Sequence, residues 1–392
     1  MNKVTMIGCD LHDVNMLLMV AVDGGEAVRK SMPTADVAGL IAWIQEFAAQ
    51  HGSSRIVFAY EASGRGFGLH DALTEAGIEC HVLAPTHLPR TVHGRKNKTD
   101  EKDSRMILDE LRAHVLAGRK LPRVWVPDPQ TRDDREPVRM RLTVAAQRTQ
   151  VKNQIRTLAK RWQLEFPTWF TASGEWSKRS VGWLRDVASG KVAGLQEGAR
   201  AALNTLVELH EAINVQMRQL DKAILRMAKS ERYAKVFRKL QLLSGVGTLS
   251  AMTFLTELGD LERFANRRQL AAYLGLVPQA FESGNRNDRK GHITHQGSAR
   301  VRHMLCQSAW AALRSSDKWR TTYDNIKRGM AKRSKIAIVA VMRRLAITMW
   351  QVARSKETEQ LLAAVDAHKD LAQAQQKEAA PCRLAIASAQ AG

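Results

Sequence analysis

Between residues 4 and 84 the chain repeatedly strings apolar residues together with scarcely a polar one among them. The runs are Val4-Thr5-Met6-Ile7-Gly8-Cys9, Val14 to Val22, Ile56-Val57-Phe58-Ala59-Tyr60 and Cys80-His81-Val82-Leu83-Ala84. Runs this short and this continuous suit strands covered on both faces, so they predict an α/β sheet with helices packed over it. The covering helices are also legible. One follows Pro33-Thr34, carries the stripe Val37, Leu40, Ile41, Ile44 and Phe47, and ends at Gly52. Another follows Gly64, Gly66 and Gly68 and carries Leu69, Leu73 and Ala76. The glycine spacing does not match a dinucleotide-binding fingerprint. The first apolar run ends at Asp10, before a tight turn at His12-Asp13, and the third ends at Glu61. In open α/β sheets the carboxyl edge is where sites form.

A further acidic stretch, Asn97-Lys98-Thr99-Asp100-Glu101-Lys102-Asp103-Ser104-Arg105, precedes Met106-Ile107-Leu108, Leu111 and Val115. The apolar spacing predicts a helix, with Thr99 or Asp100 as its N-cap and acids at the positive end of its dipole. Asp103, Ile107 and Leu111 are four apart, so Asp103 extends the buried stripe, and Asp100 lies three residues earlier on the same side. For each acid singly, a strand end or a helix cap is the commoner role. Taken together, Asp10, Glu61, Asp100 and Asp103 form four carboxylates that can converge, and buried carboxylates are costly without a partner. An all-oxygen cluster suits Mg²⁺ or Mn²⁺ rather than zinc or copper. The loop before the helix is basic, with Arg90, His93, Arg95, Lys96 and Lys98. Hard cations beside such a loop suggest phosphoryl transfer on a nucleic-acid backbone.

The charge balance agrees. Among 392 residues, 60 Lys and Arg face 39 Asp and Glu, a net charge of +21, which calls for a polyanionic partner. Nucleic acid is expected rather than membrane, because there is no run of about 18 apolar residues and no lipidation motif. Met1-Asn2-Lys3 leads straight into a strand, so no signal peptide is expected and the cytoplasm is the expected compartment. Cys9, Cys80, Cys306 and Cys382 are scattered, without disulfide-framework or zinc spacing.

The organisation predicted is a catalytic α/β domain over 1–120, a Pro- and charge-rich linker over 121–137, and a helical coiled-coil arm over 138–235. A mainly helical domain over 236–355 and a helical then disordered tail over 356–392 complete it. The arm begins with a basic helix (Arg139, Arg141, Arg148, Lys152, Arg156). It returns through a heptad seam, Leu203, Leu206, His210, Ile213, Met217, Leu220, Ile224 and Met227, in which His210 reads as register-setting or solvated. The Trp-rich stretch between, over 163–195, has no legible structure, and the seam closes equally well within one chain or between subunits. The last domain opens with Leu240 to Ala251, where Gly245-Val-Gly247 between apolar helices matches a helix-hairpin-helix unit able to bring backbone N–H groups to a phosphate. A turn-rich loop with Ser283-Gly284-Asn285 follows, amid Arg286, Arg289, Lys290, Arg300 and Arg302. Locally this is a turn beside a nucleic-acid patch, or a serine nucleophile whose phosphate charge the cations neutralise.

Gly8-Cys9-Asp10, Tyr60-Glu61-Ala62, Lys98-Thr99-Asp100-Glu101-Lys102-Asp103, Gly245-Val-Gly247 and Tyr273-Leu-Gly275-Leu-Val-Pro278 with Ser283-Gly284, in this order, resemble the DEDD-type insertion-sequence transposases. The resemblance spans roughly residues 4 to 350, with Ser104 as a local departure where a small apolar residue is expected. It implies a RuvC-like, RNase H-like N-terminal domain and a C-terminal transposase domain. It also implies that Asp10, Glu61, Asp100 and Asp103 bind metal and that Ser283 joins DNA through a transient phosphoserine. Donor and target double-stranded DNA, a structured non-coding bridge RNA and a homo-oligomer, dimer or tetramer, are the implied partners. The carboxylates and serine of one site would come from different subunits, giving the arm a role in dimerisation. Two other functions fit the residues: a RuvC-like, metal-dependent, structure-selective endonuclease, and a non-catalytic nucleic-acid-binding protein.

Overall fold

A computed structural model describes residues 3–88, 99–172, 174–280, 290–356 and 360. The chain forms two compact units, Met1–Val126 and Pro127–Gly392. The first is built on strands β1 (Lys3–Leu11), β2 (Asn15–Val22), β3 (Val28–Pro33), β4 (Ser53–Glu61) and β5 (Glu79–Leu83). They form one sheet in the order β3-β2-β1-β4-β5. β1 runs antiparallel to β2 and parallel to β4, and β4 runs parallel to β5. Helices α1 (Val37–Gln50), α2 (Gly68–Glu75) and α3 (Asp100–Ala117) accompany it. Ile7, Cys9, Phe58 and Tyr60 pack with Leu40 and Ile44 of α1 and Leu73 of α2, while Met6, Val57 and Ala59 pack with Ile107, Leu108 and Leu111 of α3. The sheet is therefore covered on both faces, as its continuous apolar runs require.

Strand β3 has no counterpart in the sequence reading. Its residues, VRKSMP, are mostly exposed and include Arg29 and Lys30. It is an edge strand, and charge on such a strand blunts pairing with other chains while erasing the apolar signal.

In the second unit α4 (Pro129–Arg161) and α7 (Glu197–Ala228) are the long helices of the arm. Arg141 pairs with Asp221 and Arg148 with Asn214, so as one number rises the other falls and the helices are antiparallel. The seam closes within the chain: Leu203, Val207, Ile213 and Met217 are buried with Val144, Val151, Ile155 and Leu158. Between them, α5 (Thr168–Ala172) and α6 (Lys178–Ala188) cap the tip around Phe170, Leu184 and Val187. His210 is buried rather than solvated, its ring tilted against Trp176 at 5.2 Å, with Asn214 Nδ2 within hydrogen-bonding distance of its ring nitrogen. Burial, then the neighbouring Lys152 and Arg148 charges, push its pKa down.

The linker expected over 121–137 needs correction. Val124 N donates to Val82 O in the first unit, and α4 already starts at Pro129. Asp128 caps that helix and Pro129 occupies its first turn, where a missing N–H costs nothing. Pro137 lies inside the helix, so prolines that read as a break are one initiator and one tolerated interior residue.

The remaining helices are α8 (Ala234–Gln241), α9 (Thr248–Leu258), α10 (Arg267–Tyr273), α11 (Ala299–Ser315), α12 (Asp317–Lys327) and α13 (Ser334–Arg354). A short hairpin of β6 (Pro278–Ala280) and β7 (Lys290–Ile293) flanks residues 281–289. Ala331–Arg354 is apolar enough to cross a membrane by length and composition, but half of it is buried, with Val341, Leu345 and Met349 in the core of this unit.

Candidate active site

Cys9 lies opposite Tyr60 on neighbouring parallel strands, so the next residues, Asp10 and Glu61, leave the sheet at the same edge. Strand alternation sends Ile7, Cys9, Phe58 and Tyr60 towards α1, and Met6, Val57 and Ala59 towards α3. Asp10 and Glu61 share the second parity and so belong to the α3 face.

What brings α3 to them is a missing side chain. A Cβ on Gly8 would lie 2.4 Å from Leu108 N and 2.4 Å from Ser104 O, so the helix backbone rests directly on β1. Ser104 is fully buried there, and its Oγ donates to the carbonyls of Asp100 (2.9 Å) and Glu101 (3.1 Å). Ser104, the departure from the resembled pattern, thus touches the backbone of Asp100, one of the expected metal-binding acids. A hydroxyl fits because the helix's own carbonyls satisfy it. Thr99 caps α3, its side chain accepting from Lys102 N.

The result is a close group at the carboxyl edge. His12 Nε2 lies 3.0 Å from Asp10 Oδ2 and 3.3 Å from Asp100 Oδ1. One ligand atom from each of Asp10, His12 and Asp100 falls within 4.8 Å of the others. The Asp10 side chain is 13% exposed, and that of Asp100 is 62% exposed. Asp100 thus stands at the rim instead of pointing inward as its spacing predicts. Asp103 is half-buried, as is Glu61. Burial pushes the Asp10 carboxyl above its ordinary range, the His12 ring pulls it back, and the charges of Asp103 and Asp100 push it up again. Asp103 is therefore close enough to act on Asp10.

His12 is the member of this group that the sequence reading does not include. Its signal is the turn itself: Asp10-Leu11-His12 puts acid and imidazole two apart at a strand end, on one face. Its position is built rather than loose. His12 N donates to Asn15 O, buried Thr34 Oγ1 donates to His12 O at 2.8 Å, and Thr34 N donates to Val14 O. Arg65, four residues beyond Glu61, donates to both the carbonyl and the carboxylate of Asp13. The loops after β1 and β4 are thereby tied together.

The two carboxylates, one of them partly desolvated and with its charge opposed by its neighbours, suit a hard divalent cation, and the imidazole beside them is a softer donor. Of the expected nucleic-acid and nucleophile residues, Arg95, Lys96, Lys98, Ser283, Arg286 and Arg289 lie outside the described residues. Gly245 serves packing, since a Cβ there would meet Ser308 O at 2.3 Å on α11, whereas Gly247, at the start of α9, faces open space. Lys290 opens β7. Arg302 ties the loop together, its Nη1 donating to the carbonyls of Leu274, Gln296 and Gly297. There Gly275 and Gly297, both at positive φ, cross so closely that a Cβ on either would strike backbone. The hairpin flanking Ser283 thus has a fixed base. Arg300 is exposed and heads a stripe on α11 with His303, Gln307, Trp310 and Arg314, all exposed and alternately three and four apart.

Comparison with known sequences settles the family. Residues 7–162 match the DEDD transposase family of IS110 elements, and residues 238–324 match the family described as Transposase IS116/IS110/IS902 family. The first match spans Asp10, Glu61, Asp100 and Asp103, and the second spans Gly245, Gly247 and residues 281–289. The chain belongs to the IS110 family of transposases. It is 28% identical over 375 residues to the putative transposase y4qE of Sinorhizobium fredii (strain NBRC 101917 / NGR234), covering 89% of this chain and 88% of that protein. It is 26% identical over 309 residues to the transposase for insertion sequence element IS1111A of Coxiella burnetii (strain RSA 493 / Nine Mile phase I), covering 76% and 78%. This transposase is a DNA-cutting and DNA-joining enzyme, and its family implies use of a divalent metal.

Proposed function

We propose that this transposase moves an insertion sequence by cutting and rejoining double-stranded donor and target DNA through a phosphoserine on Ser283. Asp10, Glu61, Asp100 and Asp103 hold Mg²⁺ or Mn²⁺ in this reading, and a bridge RNA selects the DNA. The observation that carries it is the meeting of Asp10 and Asp100 within hydrogen-bonding reach of one imidazole, on a face shared with Glu61 and Asp103. The sheet order and strand directions support the RuvC-like reading of the first unit. A bound cation would neutralise charge on the phosphate and acidify the attacking hydroxyl. The carboxylates fix its place, and Ser283 supplies the Oγ. The Oγ–P bond forms as a deoxyribose P–O bond breaks, and the serine proton ends on the released hydroxyl. Because the phosphoester is retained, a second deoxyribose hydroxyl reverses the exchange and no external energy source is needed.

Binding of nucleic acid rests on the net charge of +21 and on the exposed α11 stripe from Arg300 to Arg314. Trp310 at its middle is 43% exposed, and the flanking arginines suit phosphates. The antiparallel arm, capped at its tip, is the surface on which subunits would meet.

The test is denaturant trapping with labelled donor DNA and a divalent cation. A covalent protein–DNA adduct is expected, absent in Ser283→Ala and in Asp103→Asn, while Asp103→Asn still binds DNA. Normal cleavage by Ser283→Ala would mean hydrolysis by metal-activated water, and unaltered function in Asp103→Asn would mean a binding protein. A discrete RNA should copurify.

A further inference from the structure

We propose that His12 is itself a ligand of the divalent cation, so that this site has mixed nitrogen and oxygen donors and discriminates in favour of Mn²⁺ over Mg²⁺. The inference rests on the metal reading above and adds a residue to it. Adjacent donors around a small divalent cation, with bonds of about 2.1 Å at right angles, lie about 3 Å apart. His12 Nε2 is 3.0 Å from Asp10 Oδ2 and 3.3 Å from Asp100 Oδ1, so the nitrogen already stands at the spacing of a neighbouring ligand to both. An exposed histidine that merely visits two carboxylates would not need a built backbone. This one has it: His12 N is bonded to Asn15 O, its carbonyl is held by buried Thr34, and the next residue is clamped by Arg65. The hairpin thus presents the imidazole from one side of the edge, while α3 presents Asp100 and Asp103 from the other.

Magnesium keeps to oxygen donors, whereas Mn²⁺, though also at home among carboxylates, opens the transition series whose later members take imidazole readily, so an imidazole ligand disfavours Mn²⁺ less than it disfavours Mg²⁺. Replacing one oxygen by nitrogen therefore tilts the site towards Mn²⁺ over Mg²⁺.

The experiment is pulsed electron paramagnetic resonance on the full-length chain loaded with one equivalent of Mn²⁺. The expected result is modulation from a directly bound ¹⁴N, changed to a ¹⁵N pattern in protein labelled at histidine and absent from His12→Ala. Asp10→Asn, which should lose stoichiometric Mn²⁺, ties the signal to this site among the chain's 12 histidines. In His12→Ala the Mn²⁺ dissociation constant should rise roughly tenfold or more while that for Mg²⁺ changes little, and thermal denaturation checks that the variant is folded. Stoichiometric Mn²⁺ without nitrogen modulation, or unchanged modulation in His12→Ala, overturns the proposal and leaves the carboxylate site standing. Failure of the unaltered protein to bind Mn²⁺ at all overturns both.

Discussion

Asp10 is held at a cost. A carboxyl whose folded pKa is raised binds its proton more tightly in the folded state, so it destabilises the fold above that pKa and the penalty fades as pH falls towards the ordinary carboxylate value. Asp10→Asn should therefore raise the melting temperature at neutral pH in metal-free buffer, while eliminating cleavage. A lower melting temperature would mean that the His12 contact outweighs burial. Gly8→Ala tests the opposite kind of requirement. Its Cβ would meet backbone of α3 at 2.4 Å, and overpacking of this sort costs about 1–3 kcal/mol. Urea denaturation should show the loss even though the substitution adds a single methyl group. At this scale the acids were legible because each ends an apolar run or starts a helix. His12 was not, because a two-residue spacing across a turn looks like any polar loop.

Among the elements, α4 depends on a cap that also locks it to the α7–α8 turn. Asp128 accepts from Thr131 N (2.8 Å) and Thr131 Oγ1 (2.6 Å), and Arg232 pairs with it at 3.1 Å. Burial pushes this carboxyl up, but those hydrogen bonds and the guanidinium outweigh it and bring the pKa down to about 2. A depressed folded pKa gives stability that is present above the unfolded value and disappears as pH falls towards about 2. Asp128→Ala should cost about 1 kcal/mol, as loss of an N-cap does. Hydrogen exchange should quicken first in the opening turn of α4, with the protection of β1 unchanged. The sheet strands could be read from composition because they are buried on both faces. β3 could not, because its partner is solvent on one edge and its residues are charged. The extent of α4 was hidden for another reason: proline signals a break or a beginning, and only the surrounding helix says which.

For the molecule as a whole, the excess positive charge and the face on α11 set the dependence on salt. Phosphate contacts release counterions, so each lost contact lowers the slope of log affinity against log salt by about one. Arg300→Ala and Arg314→Ala should each flatten that slope and weaken binding across DNA sequences alike, whereas Arg302→Ala should chiefly lower the melting temperature, because its Nη1 holds three carbonyls. Titration of binding from 50 to 200 mM salt separates the two outcomes. The sequence states the charge total plainly but not its allocation, since an arginine that holds a loop and one that meets phosphate read identically. The contact between Gly8 and α3 carries one more implication. If the reach between Asp10 and Asp100 is fixed by how far the helix can sink onto β1, then the ionic radius admitted to the site is chosen by two core positions, 8 and 104, and not by the ligands themselves. Selection for activity with Ca²⁺, whose bonds run to 2.3–2.6 Å, should then recover substitutions at Gly8 or Ser104 before any at the carboxylates.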